Sequence, residues 1–469
     1  MKLTKHRSSQ HTIDMCNGPL LPSLIAFSLP LMLGSILQVF YNAADMIVIG
    51  QFSGETATAS VGATSSLLAL LVTSFIGFSV GVNVLAARYI GACDREELHQ
   101  TVQTAIYAGA LLGLLLGVVC FTFARLFLQW MACPADVLDG ATLYMRCYAL
   151  GVPGSMIYNF GTAILNAKGD TRRPLRILAM SGLVNVLLNL FFVLLLHIDV
   201  AGVALATSIA NWTSAGMVLY DLIREKSDCR FDPRVVRISG KKLWHIVRIG
   251  IPVAIQSSLY SISNVQIQAQ VNSFGAAAIA ANSASTSLEG FPSAANSAFS
   301  NAAISFASQN VGAERYERIK QIFFKCTAVS TIFCEVIGMG LFLLSGPLLN
   351  IYLPGNTEAI AIGQIRMSLI CTIYCIAGAT NVAVSITRAL GYSTLPMLVS
   401  VFCVCGLRAL WLWFVYPHFP TLLGLWMCYP VTWTIALVAQ WVCLWFTYRD
   451  FFHRRAISPE NARPAAKEV

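Results

Sequence analysis

A single aspartate inside an apolar segment is the first residue in the chain whose type and position suggest chemistry. Asp45 lies near the end of a mainly apolar run that begins near Leu24, and it is followed by Met-Ile-Val-Ile-Gly50. A charge within a membrane-spanning helix is costly, so such a side chain usually faces a cavity in the protein and binds an ion or a proton there. The alternative role for Asp45 is a structural hydrogen bond to a neighbouring helix.

A second carboxylate, Glu289, also lies inside an apolar segment, next to Gly290 and close to Pro292, which loosen the helix. We expect Glu289 to take part in cation coupling, to pair with a cationic drug, or to have a structural role such as pairing with Arg366 or a backbone amide. No nucleophile motif and no phosphate-binding glycine loop accompanies these acids. The sequence therefore argues against an enzyme and against ATP as the energy source, and it predicts no cofactor.

The composition explains why these carboxylates are unusual. Of the 469 residues, 56% are hydrophobic and only 11% are charged, against about 25% charged in an ordinary soluble domain. Apolar runs of about 20 residues, each able to cross a hydrocarbon core of roughly 30 Å, recur along the whole chain. The 14 cysteines lie mostly within these runs and predict neither disulfides nor a metal site. We predict an all-α polytopic membrane protein.

The apolar runs predict twelve transmembrane helices. Lys and Arg are concentrated at the N-terminus and in the connections after the even-numbered helices, so the positive-inside rule places both termini in the cytoplasm. The net charge of +9 is therefore a topology signal and does not indicate a nucleic-acid partner. The predicted helices are Leu24–Gln51, Ala57–Ala87, Thr101–Phe127, Leu138–Asn166, Arg176–Leu196, Ala201–Ile223, Leu243–Ser273, Ala277–Ser308, Ile322–Leu344, Ala359–Ala389, Pro396–Val415 and Leu422–Thr447.

The two halves of the chain repeat one pattern. Pro30 and Pro252 begin the repeats, and the motifs Arg88-Tyr-Ile-Gly-Ala92 and Gln309-Asn-Val-Gly-Ala313 follow, again about 220 residues apart. A parallel repeat with six helices per half predicts two pseudo-symmetric six-helix bundles around a central cleft, as in alternating-access transporters. The predicted domains are a cytoplasmic N-terminal segment (1–23), an N-terminal bundle (24–224), a cytoplasmic linker (225–242), a C-terminal bundle (243–448) and a cytoplasmic tail (449–469).

With these motifs in this order, the chain resembles the multidrug and toxic compound extrusion (MATE) family over nearly its full length. The resemblance implies a monomeric secondary active exporter in the bacterial plasma (inner) membrane. It would antiport small drug-like organic compounds, expected to be cationic, against protons or sodium ions by alternating access. The motifs that carry it are Asp45-Met-Ile-Val-Ile-Gly50, Ala86-Ala-Arg-Tyr-Ile-Gly-Ala92, Ser308-Gln-Asn-Val-Gly-Ala313, and Tyr144-Met-Arg-Cys147 leading to Leu165-Asn-Ala-Lys-Gly-Asp-Thr-Arg-Arg-Pro174.

The same resemblance implies a cation-coupling site in the first bundle, formed by Asp45, Asn185, Asn189 and Thr207. The two asparagines are four residues apart and share one helix face, so both can point inward. A carboxylate with amide and hydroxyl oxygens suits sodium, or it holds a proton, and the sequence leaves both ions open. Near the position of Asp45, the second half has Gln266, which carries no charge.

Polar and aromatic residues on helices that line the cleft in relatives are the candidates for binding the substrate. They are Tyr41, Tyr158, Asn159, Gln256, Tyr260, Gln266 and Phe291. Aromatic faces accept flat organic cations by stacking and cation–π contact. Three other functions stay open: a flippase for lipid-linked sugars, a membrane-embedded enzyme, and a receptor or scaffold.

Overall fold

Helices form all the regular secondary structure in residues 12–52, 54–131 and 133–457, the residues that the computed structural model describes. The outer parts of the two predicted terminal segments, residues 1–11 and 458–469, lie outside the described residues. The α-helices are α1 (Leu20–Phe52), α2 (Gly54–Gly91), α3 (Arg95–Trp130), α4 (Ala135–Ala149), α5 (Val152–Lys168), α6 (Arg172–Leu190), α7 (Asp199–Ile223), α8 (Gly240–Asn272), α9 (Ala276–Gly312), α10 (Tyr316–Leu343), α11 (Ser345–Tyr352), α12 (Thr357–Ile370), α13 (Tyr374–Ala389), α14 (Thr394–Ser400), α15 (Leu407–Leu410), α16 (Leu422–Trp426) and α17 (Cys428–Ile457).

Each of the twelve predicted membrane segments coincides with one or more of these helices, and some are interrupted. The fourth segment is divided between α4 and α5 at Gly151, because Pro153 lacks the N–H that a continuous helix would use. Gly151 also packs against α7, where an added Cβ would lie 2.6 Å from the Cα of Ser208. The tenth segment is divided by a 3₁₀ turn, Cys371–Ile373, and the eleventh contains two π-helical stretches, Val401–Gly406 and Trp411–Val415.

Nine helices in the described ranges are long and apolar enough to cross a membrane. The predicted segments 138–166, 201–223 and 277–308 are not among the nine. The first consists of two shorter helices, and the other two correspond to α7 and α9, which carry many Ser, Thr and Asn side chains. Most of the second half of α9 is buried against other helices, so its outer surface does not have to match lipid.

The helices form two bundles, α1–α7 and α8–α17, which are packed together most closely at one end. There, α2 crosses α8 so closely that a Cβ on Gly77 would lie 2.7 Å from the backbone nitrogen of Ala254. A shared apolar cluster joins Leu24 and Val84 of the first half to Val253 and Phe306 of the second. Both described chain ends lie on this side, since Asn310 donates to the Met15 carbonyl and Tyr392 donates to Asp450.

The two repeated motifs contact each other reciprocally at the end where the two bundles pack most closely. A Cβ on Gly91 would overlap the carbonyl oxygen of Gln309, and a Cβ on Gly312 would overlap the carbonyl oxygen of Arg88. The side chains repeat the exchange, because Arg88 donates to the Ala389 carbonyl and Gln309 donates to the Ala167 carbonyl, both at 2.6 Å. We name these contacts the interbundle seal. Its pairing follows the pseudo-twofold relation between the halves.

On the same side, a buried carboxylate ties α5 and α6 to the chain after α7. Oε2 of Glu225 lies 2.9 Å from Nζ of Lys168 and 2.6 Å from Nη1 of Arg173, and Oε1 accepts the backbone N–H of Lys226. Burial disfavours the charged form of Glu225, but the hydrogen bonds and charges of the two basic side chains outweigh it and lower its pKa to about 2.

We expect the stability of the protein to depend on the ionisation of Glu225. Its folded pKa lies below the ordinary value of 4.5, so the stabilisation is complete above pH 4.5 and is lost as the pH falls toward 2. The linked free energy is on the order of 3 kcal/mol. The thermal midpoint in detergent should therefore fall more steeply between pH 5 and pH 3 for wild type than for Glu225→Gln. Superimposable profiles for the two proteins would contradict this linkage.

Candidate functional site

The four residues predicted for cation coupling form one hydrogen-bonded cluster in the first bundle. Asn189 donates to the Asp45 carboxylate and, at 3.5 Å, to Oδ1 of Asn185. Asn185 in turn donates to the Thr207 hydroxyl at 3.2 Å, and Thr207 donates to the Val203 carbonyl at 3.0 Å. The cluster therefore joins α1, α6 and α7. We name it the Asp45 cluster.

The Asp45 cluster has largely apolar surroundings, with its two asparagines buried and Asp45 and Thr207 half-buried. Asn185 and Asn189 are 5% and 1% exposed, and the side chains of Val48, Ile49 and Tyr144 belong to the apolar cluster beside them. Oδ1 of Asn189 is buried and has no hydrogen-bond donor. A buried oxygen without a donor is costly unless a ligand satisfies it.

The geometry allows two ions to satisfy these oxygens. A sodium ion would find the Asp45 carboxylate, amide oxygens and a hydroxyl, all of them hard oxygen ligands. A proton on Asp45 would remove the charge from an apolar environment, where electrostatic interactions are strong. Among the described residues, no group of three or more His, Cys, Asp or Glu side chains could hold a metal ion. The donor set therefore suits a proton or a sodium ion, and cation coupling at the Asp45 cluster stays a prediction.

A cavity of about 620 Å³ lies between the two bundles. Its walls come from α1, α2, α5 and α6 on one side and from α8, α9 and α13 on the other. The lining is mostly amide and hydroxyl side chains, and its one charged side chain among the described residues is Arg388. Asp45 does not line it. The ion-binding candidates and the cavity are thus separate, and α1 and α6 contribute to both.

The structure places four of the seven predicted substrate-binding residues in the wall of this cavity: Tyr158, Asn159, Gln256 and Tyr260. The other three line neither this cavity nor the second-bundle cavity described below. Tyr41 lies against α6 and donates to the Ala179 carbonyl at 3.2 Å, Gln266 is on the exposed side of α8, and Phe291 packs against the apolar cluster around Leu288 and Met367. All three lie on helices that contribute to the cavity wall, but their side chains point away from both cavities.

Glu289 lies in the second bundle and is paired with Arg366. The guanidinium donates through Nε and Nη2 to the two carboxylate oxygens, each at 3.0 Å, and through Nη1 to Asn282 at 2.6 Å. This bidentate pair borders a second cavity of about 400 Å³, which is also lined by Arg408 and Tyr429. The geometry matches the structural alternative for Glu289, and its part in coupling stays a prediction.

Breaking this pair should destabilise the protein. The side chains of Arg366 and Glu289 are 4% and 14% exposed, and removing one partner of a buried ion pair typically costs about 3–5 kcal/mol because the other charge stays buried. We expect Glu289→Gln to lower the thermal midpoint markedly, and the double variant Glu289→Gln/Arg366→Met to recover most of it. A midpoint unchanged in Glu289→Gln would show that the pair is not structural.

Two arginines near the cavities were not among the predicted site residues. Arg388 ends a predicted helix, where it resembles a charge that sets topology, and Arg408 lies inside the predicted helix Pro396–Val415. The signal for Arg408 was available, because an unpaired charge inside a membrane segment calls for the same explanation as Asp45. Arg388 gave no such signal, because its burial depends on α8 and α9.

The family model MatE matches residues 30–191 and again residues 252–414. The chain is 26% identical over 425 residues to the probable multidrug resistance protein YoeA of Bacillus subtilis (strain 168), covering 89% of this chain and 91% of that protein. It is 24% identical over 378 residues to the probable multidrug resistance protein YpnP of the same strain, covering 81% and 84%. The repeated match confirms the predicted internal repeat.

One solved structure, described as the outward-facing conformation of a multidrug resistance MATE family transporter of the MOP superfamily, superposes with a TM-score of 0.88 at 16% identity. The superposition covers 95% of this chain and 100% of that chain. It confirms the predicted fold of twelve helices in two bundles.

Proposed function

Because the chain belongs to the MATE family of membrane transporters, we propose that it is a secondary active multidrug exporter that antiports small organic compounds against protons or sodium ions. It is a multi-pass membrane protein and not an enzyme. We further propose that it acts as a monomer in a bacterial inner membrane with both termini in the cytoplasm. The observation that carries the proposal is the Asp45 cluster, a hydrogen-bonded group of carboxylate, amides and hydroxyl whose Asp45 does not line the cavity that would hold the substrate.

Binding of the ion and binding of the substrate would be coupled through α1 and α6, the helices that contribute to both sites. α1 carries Asp45 near one end and, with Pro30, Gly34 and Gln38, forms part of the cavity wall. Ionised Asp45 accepts a hydrogen bond from Asn189 on α6. A bound proton or sodium ion would itself occupy a carboxylate oxygen. The resulting change in how α1 packs on α6 would reach the cavity, because Gln38 and Gly34, which line it, lie about two to three turns before Asp45 on the same helix.

Coupling requires the cation to bind with different affinity in the inward-open and outward-open states. The described conformation is closed on the side of the termini by the interbundle seal. With the termini in the cytoplasm, this would be an outward-facing or occluded state. Cation binding to the Asp45 cluster would favour release of the seal and reorientation of the cavity.

Organic cations are the substrates that the family resemblance leads us to expect. The described lining does not favour them, because it contains no acid and its charged side chain is Arg388. The exporter proposal does not depend on the charge of the substrate.

The test is transport by purified protein in proteoliposomes under imposed gradients. We expect uptake or release of fluorescent dyes to follow either an imposed proton gradient or an imposed sodium gradient, and to stop when that gradient is collapsed by an ionophore. Several dyes of different charge should be tried with each gradient. Correctly inserted protein that moves no dye with either gradient, but moves lipid-linked sugars, would support the flippase alternative instead.

A further inference from the structure

Arg388 lines the central cavity without a counter-ion. It lies in the last turn of α13, where Nη2 donates to Oε1 of Gln256 at 2.7 Å. Its Nε is buried and has no acceptor, and no carboxylate of the described residues forms an ion pair with it. A guanidinium has five N–H donors, so most of its hydrogen-bonding capacity is unused by the protein.

The remaining lining cannot neutralise this charge. The other polar side chains of the cavity wall among the described residues, such as Asn296, Asn381 and Ser385, are amides and hydroxyls. The end of α13 favours a cation through its helix dipole, but that contribution is small and supplies no counter-charge. The cavity therefore has a net positive charge that a bound molecule could balance.

The second-bundle cavity has the same sign and adjoins the first. Tyr260, Ser293, Asn296 and Asn381 line both cavities. In the second cavity the charges of Glu289 and Arg366 cancel, which leaves Arg408. Arg408 is 4% exposed; its Nη1 donates to Asn264 at 2.9 Å, and its buried Nε has no acceptor.

We propose that the central cavity binds organic anions, and that Arg388 receives their carboxylate, phosphate or sulfonate group. The planar guanidinium fork matches such oxyanions by paired N–H donors. Amides and hydroxyls around it serve the neutral polar groups of the molecule, and the rings of Tyr158 and Tyr260 offer flat surfaces. The proposal rests on the proposed function, since it names the substrate class of the same exporter.

The experiment compares two xanthene dyes of opposite charge, carboxyfluorescein and rhodamine 123. Equilibrium binding to the purified full chain is measured by fluorescence polarisation, independently of transport. We expect wild type to bind carboxyfluorescein more tightly than rhodamine 123. Arg388→Gln should weaken carboxyfluorescein binding at least about tenfold, which corresponds to about 1.4 kcal/mol, without weakening rhodamine 123 binding. Arg388→Lys, which keeps the charge and loses the fork, should lie between wild type and Arg388→Gln.

The control is Arg125→Gln, because Arg125 is exposed and paired with Asp139 far from the cavity lining. It should leave the binding of both dyes unchanged. The thermal midpoint without dye separates a binding role of Arg388 from a structural one. Because Arg388→Gln removes an uncompensated charge, it should not lower the thermal midpoint. A lowered midpoint, combined with equal loss of both dyes, would mark Arg388 as a structural residue and overturn the proposal.

The remaining outcomes separate this inference from the exporter proposal. If rhodamine 123 is bound and moved by the gradient but carboxyfluorescein is not, the anion site is wrong and the exporter stands. If carboxyfluorescein binds through Arg388 but no gradient moves it, the anion site stands and the exporter proposal fails. Binding is repeated in phosphatidylcholine vesicles with and without phosphatidylglycerol. Loss of carboxyfluorescein binding only in the vesicles that contain phosphatidylglycerol would assign Arg388 to a lipid headgroup and overturn its assignment to a soluble compound.

Discussion

Asp45→Asn is expected to abolish ion-driven transport while leaving substrate binding intact. The amide cannot take up a proton and offers sodium no charge, so the gradient can no longer shift the conformational equilibrium. Asp45 does not line the central cavity, so dye affinity measured without a gradient should change less than about threefold. The initial rate of gradient-driven dye transport in proteoliposomes should fall at least about tenfold, toward the rate measured without a gradient.

The matched control is Asp139→Asn, which makes the same change at a carboxylate with 81% side-chain exposure. It loses only a surface ion pair and should transport like wild type. Asn189→Ala keeps the Asp45 carboxylate but removes its hydrogen-bond donor, and we expect an intermediate loss of transport. Full gradient-driven transport by correctly folded Asp45→Asn would rule out the Asp45 cluster as the coupling site.

Gly91→Ala and Gly312→Ala are expected to prevent closure on the side of the termini. The added Cβ would overlap the carbonyl oxygen of Gln309 or Arg88, and backbone atoms of packed helices move apart only if the bundles separate. We expect each variant to lower transport at least about tenfold, since every 1.4 kcal/mol lost by the closed state lowers the ratio of closed to open molecules about tenfold. Helix propensity does not offset this effect, because Gly91 and Gly312 are the last residues of α2 and α9 and do not lie in a helix interior.

Gly340→Ala is the control, because nothing lies within 4 Å of its added Cβ. It should transport normally with equal or higher thermal stability. The opening itself can be followed at Ser305, which is fully buried and donates to Asn83 across the bundle interface. A cysteine introduced by Ser305→Cys should react faster with a thiol reagent when Gly91→Ala is also present than when it is absent. The reaction of the native cysteines is measured without Ser305→Cys and subtracted. Unchanged reactivity and transport would show that the interbundle seal tolerates a methyl group.

The class of the protein and its helices could be predicted from the sequence, because the signals for both are local or periodic. Length and apolar composition identify a membrane helix regardless of its neighbours. The spacing between Pro30 and Pro252 shows the repeat in the same way. The grouping of Asp45 with Asn185, Asn189 and Thr207 was predicted through the family resemblance, and the structure brings these four side chains together. Their role in coupling stays a prediction.

Which side chains face the cavity could be predicted only in part, four of seven through the family resemblance, because the rest depends on how helices rotate and pack against one another. Tyr41 and Phe291 lie on cavity-forming helices and point into protein contacts. The pairing of Glu289 with Arg366 was one of several alternatives, and only the arrangement of α9 beside α12 selected it.

The sequence by itself determined a twelve-helix, two-bundle membrane transporter with a carboxylate buried in its first helix. Only the tertiary structure decided the sign of charge in the cleft and the contacts that close it. Arg388, at the end of α13, became an unpaired cation because helices distant in sequence surround it with uncharged groups. The reciprocal contact of Gly91 with Gln309 and of Gly312 with Arg88 joins motifs about 220 residues apart. Both features arise from packing between residues that are distant in sequence. The order of residues along the chain does not reveal such contacts.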